Sequence, residues 1–238
     1  TSWMHRWPTP ADLAAEAAAE AIRAWARLGY PRRALRLHAC AVIIASEHKN
    51  QVPSDLDALL SLPGIGAYTA RAVAAFAFGQ RQPVVDVNVR RVLARAHSGL
   101  ADAGPATTTA DMSLMAELLP SAPHRARKFC AATMELGAVI CRAKQPECGR
   151  CPIADHCAWR SAGAPTQPGV KKRVQRYLGT DRYVRGRLLA ILRDGPGRVS
   201  EAELETAWHL TEQRERALKS LLQDGLVCSD FPGSYSLP

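Results

Sequence analysis

Apolar residues recur at three- and four-residue intervals through most of residues 9–140, and no alternating run lasts beyond a few residues, so this stretch reads as helix. Thr9-Pro10-Ala11-Asp12 is a helix start, with Thr as N-cap, Pro at the first position and an acid in the first turn. The pattern then predicts a helix around Glu20–Arg27 that stops at Leu28-Gly29-Tyr30, and another opened by Pro31 with Ala34, Leu37, Ala41 and Ile44 on one face. Ser54 is expected to cap a short helix, Asp55–Ser61. The turn Leu62-Pro63-Gly64-Ile65-Gly66 separates it from a helix at Tyr68–Phe78, ended by Gly79. Further helices are predicted after Asp86 and over 129–140, the latter running into a group of cysteines.

Residues 161–176 have linker composition. Beyond them the pattern predicts a helix near Arg182–Arg193, a second from the capping box Ser200-Glu201-Ala202-Glu203, and a third from Thr211 to Asp224. Leu226–Ser229 and Ser234–Leu237 flank Phe231-Pro232-Gly233 as a hairpin, so 177–238 reads as a winged-helix-like module. The fold class is mainly α.

The composition fits this reading: 238 residues, 47% hydrophobic and 22% charged, suit a globular chain of one or two domains. The apolar runs are broken well before the ~20 residues of a membrane span, and no signal peptide opens the chain, so a cytoplasmic location with no membrane partner is expected. The net charge is +9, carried by 25 Arg and 6 Lys. Arginine suits bidentate phosphate contacts, which points toward an anionic partner, although an Ala- and Arg-heavy composition accounts for the ratio equally well.

Four of the seven cysteines, Cys141, Cys148, Cys151 and Cys157, fall in a C-x6-C-x2-C-x5-C array. Four thiolates so close can surround one compact cofactor. Zinc ribbons pair two C-x2-C knuckles about 15–20 residues apart, so a single knuckle with longer arms favours an iron–sulfur cluster over zinc, with disulfides as the remaining alternative. Cys40, Cys130 and Cys228 sit on apolar stretches as small core residues.

Two further features carry candidate chemistry. In the turn at 62–66, Pro63 fixes the entry and Gly64 and Gly66 permit close approach of backbone, so the N–H groups of the next helix can meet a phosphate; a purely structural turn is the competing reading. Asp86 is an acid inside the apolar stretch Pro83–Val89. It reads either as a helix N-cap or as a carboxylate able to stabilise a developing cation.

Leu62–Ala70, the segment Val84–Arg95, Met134-Glu135-Leu136-Gly137 and the cysteine array stand in the order and spacing of helix–hairpin–helix DNA glycosylases with an iron–sulfur cluster. Within that superfamily residues 5–160 most resemble the MutY-type adenine DNA glycosylases. The resemblance implies a base-excision-repair enzyme that flips adenine out of a mispair with 8-oxoguanine or guanine and hydrolyses its N-glycosidic bond. It implies a 4Fe–4S cluster on the four cysteines. Asp86 matches the carboxylate that stabilises the sugar cation. Tyr68 matches the position where relatives of the endonuclease III type carry a nucleophilic Lys; a phenol forms no Schiff base, which favours a monofunctional glycosylase. Tyr30 matches a residue inserted into the duplex, and Leu62, Gly64, Ile65, Gly66 and Arg90 fall on the DNA side. The cluster would hold Arg142, Lys144 and Arg150 toward the DNA backbone. The partner is double-stranded DNA containing a mispair, met by a monomer in the nucleoid.

The chain departs from the family pattern in places. The family carries its general-acid Glu in a motif like Ser-Glu-x-Met-Leu-Gln-Gln-Thr, which is not found in residues 1–238; its place lies upstream of Thr1, so the chain is expected to be N-terminally truncated. Pro31 stands where the family often has Tyr. The Nudix-like C-terminal domain is replaced by 177–238. The expected division is therefore a glycosylase core over 1–140, a cluster loop over 141–160, a linker over 161–176 and the module at 177–238. A thymine–guanine mismatch glycosylase and a non-catalytic iron–sulfur DNA-binding protein are the alternative functions.

Overall fold

A computed structural model of the chain describes residues 2–105, 108–165, 177–195 and 197–238. The helices are α1 (Ser2–Arg6), α2 (Pro10–Ala14), α3 (Ala18–Trp25), α4 (Arg32–Glu47), α5 (Leu56–Ser61), α6 (Ala67–Phe76), α7 (Val87–Ala96), α8 (Thr108–Leu118), α9 (Pro123–Glu135), α10 (Ala158–Ser161), α11 (Asp181–Asp194), α12 (Glu201–Glu205) and α13 (Thr211–Gln223). Three short strands accompany them, β1 (Val199–Ser200), β2 (Cys228–Phe231) and β3 (Ser234–Ser236). The fold is mainly α, as the periodicity implies.

Packing divides the chain into one unit of Thr1–Pro53, Leu62–Gly64 and Lys172–Pro238, and a second of Ser54–Ser61 and Ile65–Lys171. This differs from the division expected from composition, which set 177–238 apart behind a linker. Residues 166–176 of that linker lie outside the described residues. The reason is visible in the first unit's core. The faces of α2, α3 and α4 offer Leu13, Ala19, Ala21, Ile22, Ala34 and Ala41, mostly small side chains with little area to bury. The larger Val184, Leu188, Leu189 and Leu192 of α11 and Leu221 of α13 belong to the same core. At about 25 cal/mol per Å² of apolar surface, the alanine-rich side gains more from these leucines than from self-association. The amide of Ala19 also donates to the carbonyl of Pro238 at 2.7 Å.

Within this unit α11, α12, α13 and an antiparallel sheet of order β1-β3-β2 form the winged-helix-like module. Thr180 caps α11 through the Tyr183 amide. The capping box of α12 is complete, with Ser200 and Glu203 bonded reciprocally. Near the amino end, Asp12 answers both the amide and the hydroxyl of Thr9, at 2.8 and 2.7 Å.

The second unit is built around Ala75, Val84, Val89, Leu93, Met115, Leu119, Ala126 and Cys130. Its helix starts refine the sequence reading. The carboxylate of Asp55, rather than the hydroxyl of Ser54, caps α5 by accepting from Ala58 at 2.9 Å. The last predicted helix begins earlier, at Pro123, and its end widens into a π-helical turn, Leu136–Ile140. Gly137 in that turn meets the first turn of α7 so closely that a Cβ would lie 2.7 Å from the Asn88 carbonyl oxygen. A side chain there would push the two elements apart.

Candidate active site and cysteine loop

Asp86 precedes α7 in extended backbone, and its Oδ1 accepts from the amides of Asn88 at 2.9 Å and Val89 at 2.7 Å. The two readings of this residue are thereby compatible. Capping occupies one oxygen, fixes the rotamer and places negative charge at the positive end of the helix. Among the described residues the other oxygen meets only the side-chain amide of Asn88, at 3.2 Å. Tyr68, on the first turn of α6, is 44% exposed. Burial, and secondarily the charge of Asp86, push its phenol above the ordinary value, so it is a protonated donor at neutral pH. The second unit thus brings Asp86 and Tyr68 together.

Behind Asp86 a chain of polar contacts runs to the cysteines. Arg91 donates to Asn88 Oδ1 at 2.9 Å, to the Gly137 carbonyl at 2.6 Å and to the Cys141 carbonyl at 2.7 Å. One turn on, Arg95 is only 5% exposed. Its guanidinium donates to the carbonyls of Ala101, Arg142 and Ala143 and, at 3.4 Å, to the Cys141 sulfur. It also stacks on Trp159 at 4.7 Å. Neither Arg91 nor Arg95 was singled out from the sequence, where two arginines four apart on a helix read as a solvated face; the apolar neighbours Val92 and Leu93 were the available hint.

Cys141, Cys148, Cys151 and Cys157 line one cavity with Arg95, Ile140, Pro146 and Trp159. Two 3₁₀ turns, Cys148–Arg150 and Ala154–His156, shape the loop. Among the described residues no three His, Cys, Asp or Glu side chains converge on a single ion. Four thiols around one opening fit a group several ångströms across, with a buried arginine facing them to offset thiolate charge. Burial raises the Cys151 thiol, and the other three sulfurs push the same way; iron would supply the compensating cation. Arg142 and Arg150, expected to face DNA, both pair with Glu147, at 2.7 and 2.6 Å, while remaining solvent-exposed.

Two of the expected DNA contacts have side chains engaged within the protein. Leu62 is 3% exposed, its side chain buried. Arg90 is tied to Asp111 and to the carbonyls of Ala103 and Pro105, leaving its guanidinium committed inside the second unit. The other positions stay accessible. Gly66 is the N-cap of α6 and brings no side chain to bond the first-turn amides. Ile65 is half-buried. In the first unit Gly64 has φ +78° and lies where a Cβ would come within 2.7 Å of the Arg36 Cβ. Tyr30 is 74% exposed at φ +47°, in a loop pinned by the Trp25 indole donating to the Gly29 carbonyl at 2.8 Å. A left-handed conformation costs a bulky residue about 1 kcal/mol or more, and an aromatic held out at that cost points to a contact surface.

A capped, half-buried carboxylate, a glycine turn feeding an uncapped helix start, and a four-cysteine loop are the features of a helix–hairpin–helix base-excision protein with an iron–sulfur domain. Residues 1–117 match the HhH-GPD superfamily of base excision DNA repair proteins, and residues 141–157 match the iron–sulfur binding domain of endonuclease III. The chain is 54% identical over 239 residues to the adenine DNA glycosylase of Mycobacterium tuberculosis, covering 99% of this chain and 77% of that protein. The adenine DNA glycosylase of Mycolicibacterium smegmatis is 56% identical, covering 100% of this chain and 80% of that one, and the human enzyme of the same name is 41% identical over 67% of this chain and 29% of its own length. The chain belongs to the adenine DNA glycosylase family of this superfamily, DNA N-glycosylases whose cysteine loop carries a 4Fe–4S cluster. Among solved structures, a thermostable thymine-DNA glycosylase superposes with TM-score 0.60 at 26% identity, covering 68% of this chain and 74% of that one. A non-covalent endonuclease III–DNA complex superposes at 0.59 with 23% identity over 69% and 75%, a likeness of fold.

Proposed function

We propose that the protein removes adenine paired with 8-oxoguanine or guanine in double-stranded DNA, acting as a monofunctional, monomeric, nucleoid-associated cytoplasmic glycosylase. The observation that carries this reading is Asp86, one oxygen fixed by two helix amides and the other bonded to the Asn88 side chain, with its charge near enough to help raise the Tyr68 phenol. As the C1′–N9 bond of a flipped adenosine breaks, positive charge grows on the sugar, and a preorganised carboxylate stabilises it without rearranging. Water then adds to C1′ and adenine departs protonated. The general acid of the family belongs to the acidic motif that residues 1–238 do not contain, so excision is to be measured on a polypeptide carrying both that motif and Asp86.

The uncapped start of α6 after Gly66 supports phosphate anchoring, and the exposed, strained Tyr30 supports insertion into the duplex. Tyr68 in place of an amine supports hydrolysis without strand cleavage. No helix among the described residues is long and apolar enough to cross a membrane. The 4Fe–4S cluster, when bound, supplies cationic charge that holds the loop 141–157; Arg91 and Arg95 orient that loop against α7.

Asp86→Asn tests the assignment. Asparagine caps helices as well as aspartate, so melting should change little, while single-turnover excision from an A·8-oxoguanine duplex falls about 10²- to 10³-fold. Near-normal turnover would refute the role. The likeness to a thymine-DNA glycosylase favours a second reading, which a T·G duplex assayed in parallel separates.

A further inference from the structure

The first unit contains a feature that neither the hairpin nor the carboxylate site uses. A cleft of about 940 Å³ is lined by Tyr30, Arg32, Arg33 and Arg36 from the start of α4 and by Tyr177, Arg182 and Arg185 from the start of α11, with Asp224 as its one carboxylate. Five arginines therefore face one acid. Asp224 is shared between Arg32 and Arg185, and Arg185 also donates to the Ser220 hydroxyl. The other three have no carboxylate partner among the described residues. Arg33 lies over Trp25 at 5.3 Å and Arg182 over Tyr177 at 5.4 Å, while the Arg36 guanidinium has no hydrogen-bond partner among the described residues. The stem of Arg36 rests against Gly64, whose missing Cβ makes room for it.

Three uncompensated guanidinium groups around a concavity repel one another, and the arrangement is relieved when anions enter. The ligand's shape follows from the lining. The groups are spread across two helix starts rather than gathered on one point, which suits a string of phosphates more than a single one. The tyrosines at its rim offer flat faces, and Tyr30 is the residue assigned above to duplex insertion. We propose that this cleft receives backbone phosphates of the bound DNA duplex, with Arg36 and Arg182 as the principal contacts, so that the C-terminal module is part of the DNA-binding surface. The inference rests on the glycosylase reading. It assigns a role to residues 177–238 that the hairpin and cysteine loop do not require.

Binding of a mispaired duplex is measured against salt concentration for wild type, Arg36→Ala, Arg182→Ala, the double variant and Arg198→Ala, a control on the module paired with Asp230 outside the cleft. Each cleft substitution should flatten the log–log salt slope by about 1 and the pair by about 2, with roughly fivefold weaker binding per site near 0.1 M salt. Arg182→Lys should recover most of the slope. Slopes equal to wild type, or weaker binding at an unchanged slope, would overturn the proposal. Failure of the wild-type protein to bind the duplex would instead overturn the reading beneath it.

Discussion

Arg95 shows how much one side chain can hold. Its guanidinium serves three carbonyls and a sulfur while stacked on Trp159, and it is almost fully buried. Replacing it with leucine, shorter and without a donor, leaves those carbonyls unpaired in a site water scarcely enters, a cost of about 1–3 kcal/mol for each group left unpaired. The expected outcome is an Arg95→Leu protein with less iron per chain and weaker cluster absorbance after purification, losing its cluster faster on mild heating. Retention of full iron would show that the cysteines suffice. The residue escaped sequence reading because its partners lie at 101 and 141–143, brought to it only by folding. Asp86 was legible for the opposite reason: a lone acid in an apolar stretch has local consequences that a sequence displays. Leu62 and Arg90 fell between, their place near the hairpin and the aspartate readable but the direction of their side chains not.

At the scale of elements, the contact between α7 and the π-helical turn joins the two halves of the second unit's chemistry. Helix starts, caps and the winged-helix-like order were readable because each depends on a few adjacent residues. The π-turn was not, since it is imposed by the demand that Gly137 pass beside the Asn88 carbonyl. Gly137→Ala should therefore destabilise the protein by about 1–3 kcal/mol through overpacking, seen as a lower melting temperature. It should also slow excision, since Asn88 touches Asp86 and takes the displacement. An alanine variant with unchanged melting and rate would mean that the turn yields freely.

For the whole molecule, the separation into units has a consequence in acid. Glu20 is held below the ordinary carboxylate range chiefly by the Arg6 guanidinium, Glu203 by the Ser200 amide and hydroxyl, and Asp181 down to about 2 by Arg216 and then Gln213. All three belong to the first unit. A carboxylate depressed by folding contributes stability that is complete above its unfolded value and lost as pH falls through its folded one. The first unit should weaken from about pH 4.5 toward pH 2, modestly, because these pairs are solvent-exposed. Four of the five tryptophans, Trp3, Trp7, Trp25 and Trp208, lie in that unit, so the urea midpoint followed by indole emission reports it. A triple variant with Glu20→Gln, Asp181→Asn and Glu203→Gln should show a flatter midpoint over that range, and an equally steep one would discard the assignment. The same division also sets an order of events in time. The second unit is drawn from nearly continuous chain and can close as soon as its residues leave the ribosome. Helices α1–α4 are translated earlier but share their core with α11 and α13, and the Ala19 amide finds its partner on Pro238. At about 5–20 residues per second, α1–α4 wait several seconds or more for α11 and α13. Until those helices emerge the nascent polypeptide carries an unsealed apolar surface on α2–α4, which makes that segment the natural customer for a chaperone.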